Sequence, residues 1–257
     1  MGDPLDMSGR VVIVTGGCRG VGRGITAGFL GAGAEVVVCC RHRPEEPLVD
    51  GGREAAFVEA DVREVDQIEQ VVTFATERFG RLDVLVNNAG GAPPAPAATA
   101  SPRFQAAIIT LNLVAPMNFA QRANAVMQAQ DDGGVIVNIA SVSGMRPSPG
   151  SSAYGAAKAG LINLTQTLAV EWAPKVRVNC VTAGMIRTEQ SHLFYGDEEG
   201  VAAVASTVPL GRLGEPDDVA GVCLFLASPL ARYLSGSNVL AHGGGESPAF
   251  LDAAKPR

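Results

Sequence analysis

Seven short runs of apolar and β-branched residues recur along this chain, and longer stretches of helical periodicity separate them. The runs are nearly all apolar rather than alternating, which is typical of parallel strands buried on both faces. This alternation predicts an α/β protein: one doubly wound domain over residues 1–257, whose seven-stranded, mainly parallel sheet has helices on both faces. The predicted strands are Val11–Thr15, Glu35–Cys40, Ala56–Glu59, Val84–Val86, Val135–Ile139, Val176–Val181 and Asn238–Ala241.

The overall composition excludes several classes of function. The 257 residues are 47% hydrophobic, which suits a packed core, and the formal net charge of −6 comes without a basic stripe. We therefore expect no nucleic-acid binding. The apolar runs are shorter than the roughly 18–20 residues that span a bilayer, so we expect no membrane insertion. Residues 1–8 are acidic and lack a signal-peptide pattern, which predicts a flexible extension and a cytoplasmic protein.

The five cysteines follow no metal-binding or redox spacing. No pair has two residues between its members, and three cysteines lie in or beside strand-like runs. Buried, reduced thiols are the expected state of all five. The three histidines do not cluster in the sequence, and we expect no metal site. The cysteines are Cys18, Cys39, Cys40, Cys180 and Cys223.

Three polar residues, Ser141, Tyr154 and Lys158, follow one strand at intervals of 13 and 4 residues. Tyr154 and Lys158 share one face if their Ala-rich stretch is helical. An ammonium beside a phenol would lower the phenol pKa and allow proton transfer near neutral pH, while the Ser hydroxyl held a carbonyl oxygen. The alternative interpretation is a surface Tyr and a solvated Lys with an N-capping Ser nearby.

A glycine-rich turn follows the first predicted strand. It runs from Thr15 to Gly22 with glycines at 16, 17, 20 and 22, and a helical pattern follows. Such a turn lets the backbone approach a pyrophosphate, whose charge then meets the helix N-terminus.

These motifs resemble those of the short-chain dehydrogenases/reductases from about Arg10 to Gly244. The resemblance implies a Rossmann-type fold, and Asn112, Ser141, Tyr154 and Lys158 match the catalytic tetrad. The segment Arg212–Ala220 resembles the start of a late helix in the family. By resemblance, the cofactor-binding residues are Gly16, Arg19, Gly20, Val21, Gly22, Arg41, Asp61, Val62, Asn88, Ala89, Gly90, Tyr154, Lys158, Gly184, Ile186 and Thr188.

Two positions depart from the family pattern. Ala183-Gly184 replaces the usual Pro-Gly, in a loop whose backbone near Ile186 and Thr188 normally holds the nicotinamide carboxamide. Losing Pro removes a fixed φ but none of the backbone groups that bind. His242 replaces an Asp that is common in the family, in a segment that usually contributes to subunit packing.

The choice of cofactor depends on charge at the end of the second strand. Cys40 stands where NAD-preferring relatives carry Asp, and Arg41 and Arg43 follow it. Arg19 occupies a position that is basic in many NADP-using relatives. Cations without a carboxylate predict NADP(H), because Asp would hold the ribose 2′-OH of NAD. The alternative is an NAD(H)-dependent enzyme of the same family.

The resemblance predicts reversible hydride transfer between NADP(H) and a small-molecule carbonyl or secondary alcohol, with Tyr154 as acid/base. Ser141 would hold the substrate oxygen, Lys158 would bind the nicotinamide ribose, and Asn112 would hold a water that links Lys158 to solvent. The less favoured alternative is a non-catalytic dinucleotide-binding protein. Residues 187–208 are irregular and follow the sixth strand, so we predict a substrate lid there. The family also implies a homotetramer or homodimer.

Overall fold

The computed structural model of the protein describes residues 2–249, and its centre is one seven-stranded sheet. Every strand pairing in this sheet is parallel, and the spatial order is β5-β2-β1-β6-β7-β8-β9. All seven predicted strands are present, within two residues at each end. The strands are β1 (Val11–Thr15), β2 (Glu35–Cys40), β5 (Ala56–Glu59), β6 (Val84–Asn87), β7 (Gly134–Ser141), β8 (Val176–Ala183) and β9 (Asn238–Ala241); β3 (Val49–Asp50) and β4 (Arg53–Glu54) form a separate small hairpin that the sequence pattern did not predict.

Helices cover both faces of the sheet, as predicted for a doubly wound fold. One buried cluster joins Val12 and Val14 of β1 to helices α1 and α8, and the other joins Val11 and Ile13 to α2 and α4. Successive β1 residues therefore point to opposite layers, which explains why residues 11–14 are all apolar. The helices are α1 (Gly20–Gly31), α2 (Val65–Phe79), α3 (Pro102–Ile109), α4 (Ala115–Ala129), α5 (Ser152–Glu171), α6 (His192–Tyr195), α7 (Glu198–Ser206) and α8 (Pro216–Ala227).

Three regions add to the predicted pattern. A π-helical turn, Thr110–Val114, links α3 to α4. The segment 187–208 forms α6 and α7, whose residues pack into a small separate cluster with Leu213. Met7 is buried, and its amide donates to the Ala32 carbonyl, so the end of the stretch 1–8 is attached to the core. None of the described helices has the length and apolar character that crossing a membrane requires.

Candidate active site

The carboxyl end of β7 and the start of α5 bring Ser141, Tyr154 and Lys158 together. Ser141 is the last residue of β7, and a short 3₁₀ turn leads from it towards α5. Lys158 is 3% exposed, and its Nζ donates to the Ile139 carbonyl of β7 over 2.8 Å. The same Nζ lies 5.6 Å from the centroid of the Tyr154 ring. The four-residue spacing therefore places both side chains on the helix face that covers the strand.

Burial dominates the proton affinities of this pair. It lowers the pKa of Lys158 to about 8. It also raises the pKa of Tyr154 above its ordinary value, and the Ser141 hydroxyl opposes that rise. The net direction for Tyr154 is therefore opposite to the lowering that the sequence pattern predicts. The reason is that desolvation penalises the phenolate, while the ammonium is held by the Ile139 carbonyl.

Asn112 joins this group from the π-helical turn. It is fully buried; its Nδ2 donates to the carbonyls of Ile108 and Gly91, and its Oδ1 accepts from the Gly91 amide over 2.9 Å. A π-turn in a helix is a common feature of functional sites. Gly90 leaves room for this arrangement, because a Cβ there would lie 2.7 Å from Asn112 Oδ1 and 3.2 Å from Lys158 Nζ.

Asn88 fastens the glycine-rich turn to the neighbouring strand. Its Nδ2 donates to the Thr15 carbonyl over 2.9 Å, and the backbone amides of Asn88 and Ala89 both donate to Thr15 Oγ1. The segment 87–90 thus contacts the turn at one end and the Asn112–Lys158 group at the other. These contacts physically connect the two halves of the predicted site.

The turn itself has the geometry that an anion-binding site needs. Gly16 and Gly20 have positive φ values of 64° and 51°, which disfavour side chains. A Cβ on Gly22 would collide with the Gly16 carbonyl, so only glycine lets α1 begin this close to β1. The first turn of α1 carries no acidic residue. A dinucleotide pyrophosphate fits at this helix N-terminus on charge and on backbone access.

Comparisons with known proteins agree with this geometry. The sequence model of the family described as enoyl-(acyl carrier protein) reductase matches residues 16–246. The L-rhamnose 1-dehydrogenase (NAD(P)(+)) of Azotobacter vinelandii is 36% identical over 91% of this chain and 96% of its own. A short-chain type dehydrogenase/reductase structure from Mycobacterium marinum is 32% identical, with a TM-score of 0.88 over 96% of this chain and 99% of that one.

The chain belongs to the short-chain dehydrogenase/reductase family. It is an oxidoreductase acting on CH–OH or C=O groups, and the family implies a nicotinamide cofactor. The ligand-free aldohexose dehydrogenase of Thermoplasma acidophilum has the same fold, at 30% identity and a TM-score of 0.87 over 98% of both chains.

In this short-chain dehydrogenase/reductase the loop after β8 lies opposite the glycine-rich turn. A Cβ on Gly20 would lie 3.5 Å from the Thr188 methyl group. Ile186 forms a parallel bridge with Gly214, and the Arg187 amide donates to the Gly214 carbonyl over 2.7 Å. The segment that starts α8 therefore positions the loop.

The two departures from the family pattern are neighbours in space. The Gly184 amide donates to the Ala241 carbonyl, and a Cβ on Gly184 would lie 2.7 Å from Cα of His242. The backbone that carries Ala183 and Gly184 is thus held by β9 even though Pro is missing.

The end of β2, where the adenosine ribose of the cofactor is predicted to lie, differs from expectation, because two of the cysteines are not reduced thiols. Cys18 of the glycine-rich turn is disulfide-bonded to Cys40, the last residue of β2. The parallel pairing of β1 and β2 brings these positions together, which spacing along the sequence does not reveal. The other cysteines, Cys39, Cys180 and Cys223, are free and buried as expected.

The other cofactor-binding residues predicted near this strand end differ from one another in burial and in contacts. Asp61 accepts two hydrogen bonds from Arg63 Nε, which with other contacts to Arg63 lowers the Asp61 pKa. Val62 is buried, and Val21 packs against the core cluster of α1. Arg19 and Arg41 are exposed. Among residues 2–249, no group of three or more His, Cys, Asp or Glu side chains is arranged to hold a metal ion.

An open cleft of about 190 Å³ lies beside the predicted catalytic group, and its lining includes Gly245 and Glu246, which sequence reasoning missed. Arg146 pairs with Glu246 at this cleft. Tyr195 of α6 is close enough to both Tyr154 and Glu246 to affect proton affinities. The irregular composition of residues 187–208 predicted a substrate lid in this region, but no spacing pattern relates Arg146 to Glu246. The lining residues are Val142, Met145, Arg146, Gly184, Met185, His242, Gly245 and Glu246.

Proposed function

We propose that this enzyme catalyses reversible hydride transfer between NADP(H) and an uncharged carbonyl compound or secondary alcohol. The observation that supports this most strongly is the convergence of Asn112, Ser141, Tyr154 and Lys158 beside the carboxyl end of β7. Gly90, which contacts this group, belongs to the segment 87–90. Asn88 of the same segment binds the glycine-rich turn.

Each residue of the group has a role that its contacts support. Tyr154 donates its phenolic proton to the substrate oxygen during reduction and removes it during oxidation. Ser141 hydrogen-bonds that oxygen and stabilises the charge that develops on it. Lys158, held by the Ile139 carbonyl, resupplies the proton and would bind the ribose hydroxyls. Asn112 Oδ1 keeps a second lone pair for a water leading to solvent. The cofactor, when bound, supplies or accepts the hydride.

The cofactor would be held by the backbone of the turn from Gly16 to Gly22, by Asn88 to Gly90 and by the loop from Gly184 to Thr188. The preference for NADP(H) is supported by the exposed Arg19 and Arg41, which are suited to a 2′-phosphate. One observation favours NAD(H) instead. Glu59 is exposed and lies opposite Cys40 in the β2–β5 register, so a carboxylate is available close to the strand end.

The cleft supports an uncharged substrate. Arg146 of the cleft lining is paired with Glu246, and most other lining residues are apolar or glycine. The sugar dehydrogenases among the relatives make aldoses a first choice for assay.

We further propose that the protein is a cytoplasmic homo-oligomer. Within each subunit, α6 and α7 would form a lid over the cleft. The ion pair between Arg187 and Glu198, at 2.9 Å, links the start of the segment 187–208 to α7. Met117 on α4 and Val170 on α5 are exposed apolar residues on the helices that would pack between subunits.

The test compares kcat/KM for NADPH and NADH, and for the oxidised cofactors, across aldoses, simple ketones and secondary alcohols. We expect at least a tenfold preference for the phosphorylated cofactor, and Arg41→Gln should reduce it while the exposed control Arg232→Gln leaves it unchanged. A tenfold advantage for NADH, about 1.4 kcal/mol in the other direction, would overturn the NADP(H) assignment. Absence of turnover with every pair would overturn the enzymatic proposal.

A further inference from the structure

The disulfide between Cys18 and Cys40 lies within the predicted cofactor site. Cys18 is in the turn that would hold the pyrophosphate, and Cys40 occupies the strand end that selects between NAD and NADP by resemblance. Their Cα atoms are 6.5 Å apart, within the range of about 4.4–6.8 Å that a disulfide bridges. The bridge therefore joins two segments that both face the adenosine half of the cofactor.

The sheet explains why these two thiols meet and their neighbour is excluded. Thr15 pairs with Cys39, and the Gly16 amide donates to the Cys39 carbonyl over 2.8 Å, so the turn begins directly beside the end of β2. Strand alternation places Cys40 on the same face as Val38, which belongs to the cluster that Cys18 contacts. Cys39 points into the opposite layer.

Access also separates this pair from the other cysteines. Cys18 and Cys40 are partly exposed, whereas Cys39, Cys180 and Cys223 are buried. Burial raises the pKa of Cys39 to about 12 and that of Cys180 to about 11, which suppresses their reactive thiolates. An oxidant in solution therefore reaches Cys18 and Cys40 first.

We propose that Cys18 and Cys40 form a reversible thiol/disulfide site that weakens dinucleotide binding when it is oxidised. This inference rests on the proposed function, because it takes the turn and the end of β2 as the adenosine site. In the disulfide, the Cys40 sulfur is bonded across to the turn. The sulfur pair then occupies the space between turn and strand end where the adenosine ribose would lie, and the turn loses its freedom to adjust to the pyrophosphate.

The oxidant we infer is a low-molecular-weight disulfide of the glutathione class. One protein thiolate attacks a sulfur of this disulfide, forms a mixed disulfide and releases the first thiolate leaving group. The other protein thiolate then attacks the mixed disulfide, which forms the Cys18–Cys40 bond and releases the second low-molecular-weight thiolate. The protein loses two electrons and two protons, and the oxidant becomes two thiols.

The test measures the Kd for NADPH by titrating it into the full-length protein and following the NADPH fluorescence. One sample is first reduced with dithiothreitol, and the other is first oxidised with glutathione disulfide. Peptide mass mapping counts the thiols in each sample. We expect loss of two thiols at Cys18 and Cys40, at least a tenfold rise in the Kd for NADPH, and reversal by dithiothreitol. Cys40→Ser should show no oxidation-dependent shift, whereas the buried control Cys39→Ala should keep it.

The comparison of oxidised and reduced wild-type protein needs no variant, so misfolding of Cys40→Ser does not obscure the result. A Cys18–Cys40 bond that forms while the Kd changes less than twofold would overturn the inference and leave the proposed function intact. Oxidation that spares this pair would do the same. If the fully reduced protein binds neither NADPH nor NADH, the proposed function fails and takes this inference with it.

Discussion

Replacing Lys158 with Met should change how the stability of the protein depends on pH. The side chain is 3% exposed, and its charged form loses hydration that a single hydrogen bond to Ile139 only partly replaces. Burial lowers the pKa from 10.5 to about 8. At 1.36 kcal/mol per pKa unit, the charged Lys158 costs the folded state on the order of 3 kcal/mol at neutral pH. Methionine has a similar volume and carries no charge.

The sign of the effect follows from proton binding. Between pH 8 and 10.5 the unfolded chain holds the Lys158 proton and the folded protein does not, so the free energy of unfolding of the wild type rises with pH. The cost of the buried charge is fully present below pH 8. Relative to Lys158→Met, the wild type should therefore gain about 2 kcal/mol between pH 7 and 9.5. The lost bond to Ile139 adds about 1 kcal/mol that does not vary in this way.

Urea unfolding of both proteins at fixed concentration, across pH 7 to 9.5, measures this difference. Lys175→Met is the matched control: that lysine is exposed, and its pH profile is the baseline against which the Lys158→Met profile is compared. A Lys158→Met difference that stays constant within 0.5 kcal/mol (about a quarter of the predicted change) would refute the reasoning about desolvation at this site.

Two further substitutions test the contacts around the proposed catalytic group. Gly90→Ala should lower kcat/KM at least tenfold, because its Cβ would displace Asn112 or Lys158. The control is Gly221→Ala, whose Cβ would lie in open space on α8. This control should keep its activity and gain about 0.5–1 kcal/mol in free energy of unfolding. Asp218→Asn should lower the free energy of unfolding by about 1 kcal/mol, since Asp218 caps α8. It should also raise KM for NADPH more than it lowers kcat, because Asp218 binds Arg212 beside the Gly214–Ile186 bridge. Equal effects from the neighbouring Asp217→Asn would contradict that assignment.

The sheet was predictable because each strand is buried on both faces. That requirement leaves a continuous apolar run in the sequence, so all seven strands and their parallel arrangement followed from local composition. The hairpin Val49–Glu54 left no such mark, since its two-residue strands are mostly exposed. The π-helical turn around Asn112 also escaped notice, because it interrupts a helix without any change in apolar pattern.

At the site, motifs predicted which residues meet but not how their surroundings affect them. The spacing of Tyr154 and Lys158 predicted a shared face, whereas the rise in the Tyr154 pKa depends on burial by elements distant in sequence. The Cys18–Cys40 pair and the contact of Gly184 with His242 arise from strand pairing across 22 and 58 residues. Such contacts become visible only once the order and register of the strands are known.

The most direct test of the proposed chemistry is to measure kcat and the Kd for NADPH in Tyr154→Phe, which removes one hydroxyl and keeps the ring. We predict that kcat falls by ~10²–10⁴-fold while the Kd stays within about threefold of the wild type, because the phenol acts on the substrate oxygen. Turnover equal to that of the wild type would contradict the assignment of Tyr154 as the acid/base.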